Sequence, residues 1–140
     1  MTGKKILVIE DNPLNLELVT DLLAANGCVV LQARTAEDGL RLAREALPDL
    51  VLMDLSLPRM DGLCATKTLK ADAATCHLKV IAVTAHAMNG DDQIALNAGC
   101  DGYLTKPINT KTFVATVAAF LDHGGEAEKQ QAAVYLENDI

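Results

Sequence analysis

Four apolar runs, each closed by acidic, hydroxyl or basic residues, constrain this chain more than any other feature. Ile6-Leu7-Val8-Ile9 leads into Glu10-Asp11, and Leu50-Val51-Leu52-Met53 into Asp54. Val80-Ile81-Ala82-Val83 leads into Thr84, and Tyr103-Leu104-Thr105 into Lys106-Pro107. Unbroken apolar runs bounded by polar residues mark strands buried on both faces, as in a parallel α/β sheet. In such sheets the functional groups gather at the carboxyl ends of the strands. Three carboxylates, a hydroxyl and an amine would then meet in one pocket. Left alone, the carboxylates raise one another's pKa, so the cluster calls for a divalent cation and an anion to accompany it.

The 140 residues fit one domain, long enough for a sizeable core and too short for two. With half the residues hydrophobic and 3% aromatic, that core must be aliphatic. A net charge of −7 argues against nucleic acid as a direct partner, because phosphate backbones need a basic footprint. No apolar run approaches the ~20 residues of a membrane span, so no membrane insertion is expected. Met1-Thr2-Gly3-Lys4-Lys5 leads straight into the first strand, so no signal peptide is expected and the cytoplasm is the expected compartment. Cys28, Cys64, Cys76 and Cys100 are scattered without a C-x-x-C pair, which favours reduced thiols over disulfides. Cys76-His77 places two soft ligands side by side, but two adjacent side chains do not make a zinc site.

Helical and strand patterns alternate five times. Asn12 can cap a helix that begins at Pro13, carries Leu14, Leu18, Leu22 and Leu23, and stops at Asn26-Gly27. A strand over Cys28-Val29-Val30-Leu31 follows. Thr35 with Asp38 resembles a capping box for a second helix, with Leu40, Ala43 and Leu47 inward and Pro48 closing it. The loop Leu57-Pro58-Arg59-Met60-Asp61-Gly62 precedes a helix near 63–71. A strand starts near Lys79, a helix over about 87–97 ends at Gly99, a short strand lies near 101–105, and the last helix runs from about Asn109 to Leu121. Strands separated by one helix are parallel and joined by right-handed crossovers, which gives a (βα)5 doubly wound sheet. The domain is expected over 1–122, followed by a short tail over 123–140.

A carboxylate can attack phosphorus and hold the phosphoryl group as an acyl phosphate. Phosphoryl transfer otherwise needs positioning and charge neutralisation. Asp54, alone at the end of a central strand, is the natural acceptor. Glu10 and Asp11 suit a Mg²⁺ that keeps several waters and bridges to phosphate oxygen. Thr84 offers a hydroxyl donor, and Lys106 a point charge. Each has a plainer reading, since strand-end Asp and Thr often cap helices and Lys is usually a solvated surface residue. Five groups of compatible chemistry at successive strand ends outweigh it.

In these residues the chain resembles the receiver domain of two-component response regulators, from about Lys4 to Leu121. Glu10-Asp11-Asn12, Met53-Asp54-Leu55-Ser56 through Asp61-Gly62, Val83-Thr84-Ala85 and Gly102-Tyr103-Leu104-Thr105-Lys106-Pro107 carry the resemblance. It implies a flavodoxin-like five-stranded parallel sheet in the order 2-1-3-4-5, which sets Asp11 near Asp54. It implies phosphorylation of Asp54 by a histidine kinase or histidine phosphotransfer protein. Mg²⁺ is then held by Glu10, Asp11, Asp54 and the main-chain carbonyl of Ser56. Thr84 and Ala85 match the phosphoryl-binding stretch, Thr84 and Tyr103 the switch positions, and Pro107 a position where the family has a cis peptide. Glu10-Asp11-Asn12-Pro13-Leu14-Asn15 is similar to single-domain cell-cycle regulators of the DivK type and to the receivers of hybrid kinases. A stand-alone regulator and a receiver cut from a hybrid kinase are both expected readings, and the natural-looking amino terminus favours the first.

Rival folds of the same topology fit less well. A flavin-binding module needs a hydroxyl- and glycine-rich loop where Glu10-Asp11-Asn12-Pro13 stands. An aspartyl phosphatase usually carries Asp-x-Asp there, and a metal-dependent nuclease is disfavoured by the acidic charge. The receiver reading places kinase docking at Asn15 and Leu16, one turn from Asp11, although helical spacing equally allows Leu16 to pack inward. A downstream protein target is expected on the face of the fourth helix, fifth strand and last helix, with a phosphorylation-linked dimer as a further option.

Overall fold

In the computed structural model, residues 2–55, 62–84, 95–106 and 108–122 are described. Strands β1 (Lys5–Ile9), β2 (Val29–Ala33), β3 (Leu50–Asp54), β4 (Lys79–Thr84) and β5 (Gly102–Thr105) form one sheet in the order β2-β1-β3-β4-β5. All four pairings are parallel. Helices α1 (Pro13–Ala25), α2 (Ala36–Ala46), α3 (Gly62–Ala71) and α4 (Phe113–Asp122) pack on it. The helix expected over 87–97 falls mostly outside the described residues; 95–97 are helical.

The continuous apolar runs are explained by the two-residue period of a strand, whose alternate side chains face opposite layers. Ile6, Val8, Leu50, Leu52, Ile81 and Val83 meet Leu16, Val19 and Leu23 of α1 and Phe113, Val117 and Phe120 of α4. Leu7, Ile9, Val51, Met53, Val80 and Ala82 meet Ala36, Leu40 and Ala43 of α2 and Ala65 and Leu69 of α3. Each of β1, β3 and β4 thus serves two cores, and a polar residue inside one of them would be buried on one side or the other; the edge strand β2 leaves Val29 and Gln32 exposed.

Local signals place the helix ends. Asn12 Oδ1 accepts from the N–H groups of Leu14 and Asn15, and Pro13 opens α1. The helix closes as Cys28 N–H donates to the Leu23 carbonyl at 3.1 Å and Gly27 takes a φ of 84°, the left-handed exit that glycine adopts without steric penalty. Thr35 accepts from Asp38 N–H at 3.1 Å to start α2.

Three expectations shift. Leu47 does not point inward: it is 49% exposed, with a φ of 46°. The following Pro48 disfavours helical backbone at Leu47, and the left-handed turn swings its side chain out. The second strand begins at Val29 and runs to Ala33, later than the apolar residues suggest, because its register follows Lys5–Ile9. Regular α4 begins at Phe113, after a turn in which Asn109 accepts from Lys111 N–H.

Candidate functional site

The register builds the site. Ile9 pairs with Met53 and Asp54 with Val83, so the residues leaving β1, β3 and β4 emerge side by side. Glu10 N–H extends the ladder to the Ala33 carbonyl at 3.0 Å, and Leu55 N–H does the same to Val83 at 3.0 Å. Lys106 N–H is tied to the Thr84 carbonyl at 2.7 Å, which fixes where the lysine leaves β5. The α1 cap contributes as well: Asn12 N–H donates to Glu10 Oε2 at 3.2 Å.

Asp54 is 1% exposed, Glu10 5% and Thr84 5%. Carboxylate oxygens of Glu10, Asp11 and Asp54 lie within 4.8 Å of one another. Lys106 Nζ stands 2.9 Å from Glu10 Oε1 and 3.3 Å from Asp54 Oδ2. Burial, together with a hydrogen bond to Asp54, raises the Glu10 carboxyl from 4.5 to about 7 against the opposing pull of Lys106. Burial works against the Lys106 charge, but the Glu10 and Asp54 carboxylates outweigh it and hold that amine above its ordinary range.

The donor set consists of hard oxygens, which suits a small divalent cation rather than a soft one. Ligands opposite each other around Mg²⁺ lie about 4 Å apart, given Mg–O distances of about 2.0–2.1 Å. A spread within 4.8 Å therefore fits after a small contraction.

Glycine at 62 lets α3 approach the end of β3 closely. A Cβ there would lie 2.4 Å from the Asp54 carbonyl oxygen and 2.8 Å from Leu55 Cα. Tyr103 is half-buried and packs against both cores at the β5 edge. Asn15 is half-buried and lines, with Glu10, Asp54 and Phe113, a cavity of about 20 Å³ beneath the site.

Leu16 is not on the surface: it is 6% exposed and belongs to the α1-side core. Its inward stripe continues through Val19 and Leu23, whereas Leu14, 74% exposed, and Leu18 face solvent. Ser56, Ala85 and Pro107 lie outside the described residues, as does the 123–140 tail.

Two contacts escape sequence reasoning. Glu10 and Lys106 were readable as separate donors toward a cation and an anion, yet they pair with each other. Arg34 Nη2 donates to the Asp11 carbonyl at 3.3 Å, and no motif marks it.

A five-stranded parallel sheet in this order, with acids at the ends of β1 and β3, a hydroxyl at β4 and a lysine at β5, defines a response-regulator receiver. The chain belongs to that family: the response regulator receiver domain model matches residues 6–118. It is 44% identical over 118 residues to the polar-differentiation response regulator DivK of Brucella ovis, covering 84% of this chain and 96% of that protein. Among solved structures, the receiver domain of sensor histidine kinase PA1611 from Pseudomonas aeruginosa is 31% identical, with a TM-score of 0.80 over 87% of this chain and 100% of that one. That structure has a magnesium ion coordinated in its active site cleft. A response regulator receiver domain from Methanospirillum hungatei is 28% identical, with a TM-score of 0.80 over 93% and 99% of the two chains. Among the described residues no helix is long and apolar enough to cross a membrane.

Proposed function

We propose that this chain is a single-domain response regulator that accepts a phosphoryl group on Asp54 in a Mg²⁺-dependent reaction. The observation that carries this reading is the buried Asp54 carboxylate, 3.3 Å from Lys106 and grouped with Glu10 and Asp11. An Asp54 oxygen attacks phosphorus as the P–N bond of a phosphohistidine donor breaks, and the imidazole nitrogen keeps the electron pair. Lys106 offsets charge on the phosphoryl oxygens, and the Thr84 hydroxyl donates to one of them. Glu10, Asp11, Asp54 and, from the family resemblance, the Ser56 carbonyl would hold Mg²⁺, which when bound neutralises carboxylate and phosphoryl charge.

The donor is a histidine kinase or histidine phosphotransfer protein, and the output is a changed contact with a downstream protein rather than catalysis on a separate substrate. The chain assists its own phosphorylation and dephosphorylation and works in the cytoplasm. The 96% coverage of DivK supports the stand-alone reading. Similarity to the PA1611 receiver supports the alternative, a hybrid-kinase receiver serving as a relay intermediate; mapping the reading frame decides between them.

Incubation with acetyl phosphate and Mg²⁺ tests the proposal. Intact-mass analysis should show one added phosphoryl group, lost when chelator replaces the cation. Labelling that is indifferent to chelator contradicts the metal assignment.

A further inference from the structure

Asp11 sits in the turn between β1 and α1, and both its neighbours are tied down. Glu10 is held by its N–H to Ala33 and by Lys106 on its carboxylate. Asn12 is held by its N–H to Glu10 Oε2 and by its own capping of α1. The Asp11 peptide is held from outside the turn. Arg34, the first residue after β2, reaches across and donates from Nη2 to the Asp11 carbonyl at 3.3 Å. Because the Glu10–Ala33 bond carries the β1–β2 pairing one residue past the strands, the two chains leave the sheet together and the reach is short.

We propose that Arg34 is a positioning residue for the cation site: through the Asp11 peptide it sets the direction of the Asp11 carboxylate. The inference rests on the reading of Glu10, Asp11 and Asp54 as Mg²⁺ ligands. Two effects of the guanidinium oppose each other. Its hydrogen bond restrains the loop, and its positive charge disfavours a second cation nearby. Arg34 is exposed, so its charge is screened by solvent and salt. The hydrogen bond is local, and its donor is charged. Positioning therefore outweighs repulsion, which fixes the sign of the test.

Mg²⁺ is titrated into wild-type protein, Arg34→Met and Arg34→Lys, following the amide resonances of Asp11 and Asn12 without any phosphodonor. Arg34→Met keeps the length and apolar stem but removes every donor. It should weaken Mg²⁺ binding by about threefold to tenfold, the scale of one net hydrogen bond. Arg34→Lys keeps one donor in reach and should recover most of the loss. Unchanged or tighter binding in Arg34→Met overturns the inference, as does an Arg34→Lys variant no better than Arg34→Met. A wild-type protein that binds no Mg²⁺ overturns the metal reading and the inference together.

Discussion

Lys106 bridges the two buried carboxylates of the site, with Nζ 2.9 Å from Glu10 Oε1 and 3.3 Å from Asp54 Oδ2. This ammonium supplies positive charge to the acidic cluster. A cation that recruits Glu10 must compete with Lys106, and the lysine so released keeps Asp54 within reach. On the proposed reading, the lysine that offsets phosphoryl charge is thus held at Asp54 before any donor arrives.

The Glu10 carboxyl makes the metal-free protein sensitive to pH. Raised from 4.5 to about 7, it keeps its proton in the folded chain where the unfolded chain releases it. Its contribution to stability is therefore full below 4.5 and lost as pH rises through about 7. In chelator, the melting temperature of wild type should fall across that window more steeply than that of Glu10→Gln. Parallel curves for the two proteins would contradict the assignment.

Leu14 and Leu16 should separate docking from folding. Leu16→Asp places a charge in the α1-side core and should cost at least about 3 kcal/mol, slowing labelling by protein and small donors alike. Leu14→Asp, at a 74% exposed position, should change stability by about 0.5 kcal/mol or less. It should slow phosphotransfer from a phosphohistidine protein while leaving acetyl-phosphate labelling intact. Denaturant midpoints and the two labelling rates, measured together, check both statements.

How much of this could be read from the residues depends on how local the signal is. β1, β3 and β4 were legible because burial on both faces demands unbroken apolar runs, and the caps because Asn12-Pro13 and Asn26-Gly27 act within one turn. The acidic cluster followed only once the strand order implied by the resemblance set β1 beside β3. The inward face of α1 was not legible: Leu14, Leu16, Leu18, Leu22 and Leu23 surround the helix, so periodicity alone does not choose among them. Leu47 looked inward because spacing ignores the backbone turn that Pro48 imposes. The Glu10–Lys106 and Arg34–Asp11 contacts join residues far apart in sequence, and no local pattern announces such a pair.

Gly62→Ala tests how closely α3 must approach the acceptor. The added methyl would meet the Asp54 carbonyl oxygen at 2.4 Å, so backbone has to move. A loss of about 1–3 kcal/mol in stability is expected from such overpacking. Slower labelling should accompany it, since the displaced peptide is that of the acceptor itself. A variant with wild-type stability and rate would show that the helix can retreat without moving Asp54.

Tyr103 should change its surroundings when the site is loaded. It is half-buried against both cores, and a phosphoryl group that draws the Thr84 hydroxyl inward vacates space beside it. Such a two-state shift needs a few kcal/mol of differential stabilisation. The chain has two tyrosines and no tryptophan, so aromatic NMR can follow Tyr103 directly. A single rotamer in both free and beryllofluoride-bound protein would remove Tyr103 from the switch while leaving phosphorylation untouched.

The central claim is that Asp54 is the acceptor, and mapping the phosphoryl group tests it most directly. Wild type and Asp54→Asn are incubated with a phosphohistidine donor and Mg²⁺, then compared by intact mass and peptide mapping. One phosphoryl group on the peptide containing Asp54, absent from Asp54→Asn, is the predicted result. Labelling of Asp54→Asn at the wild-type level would contradict the account.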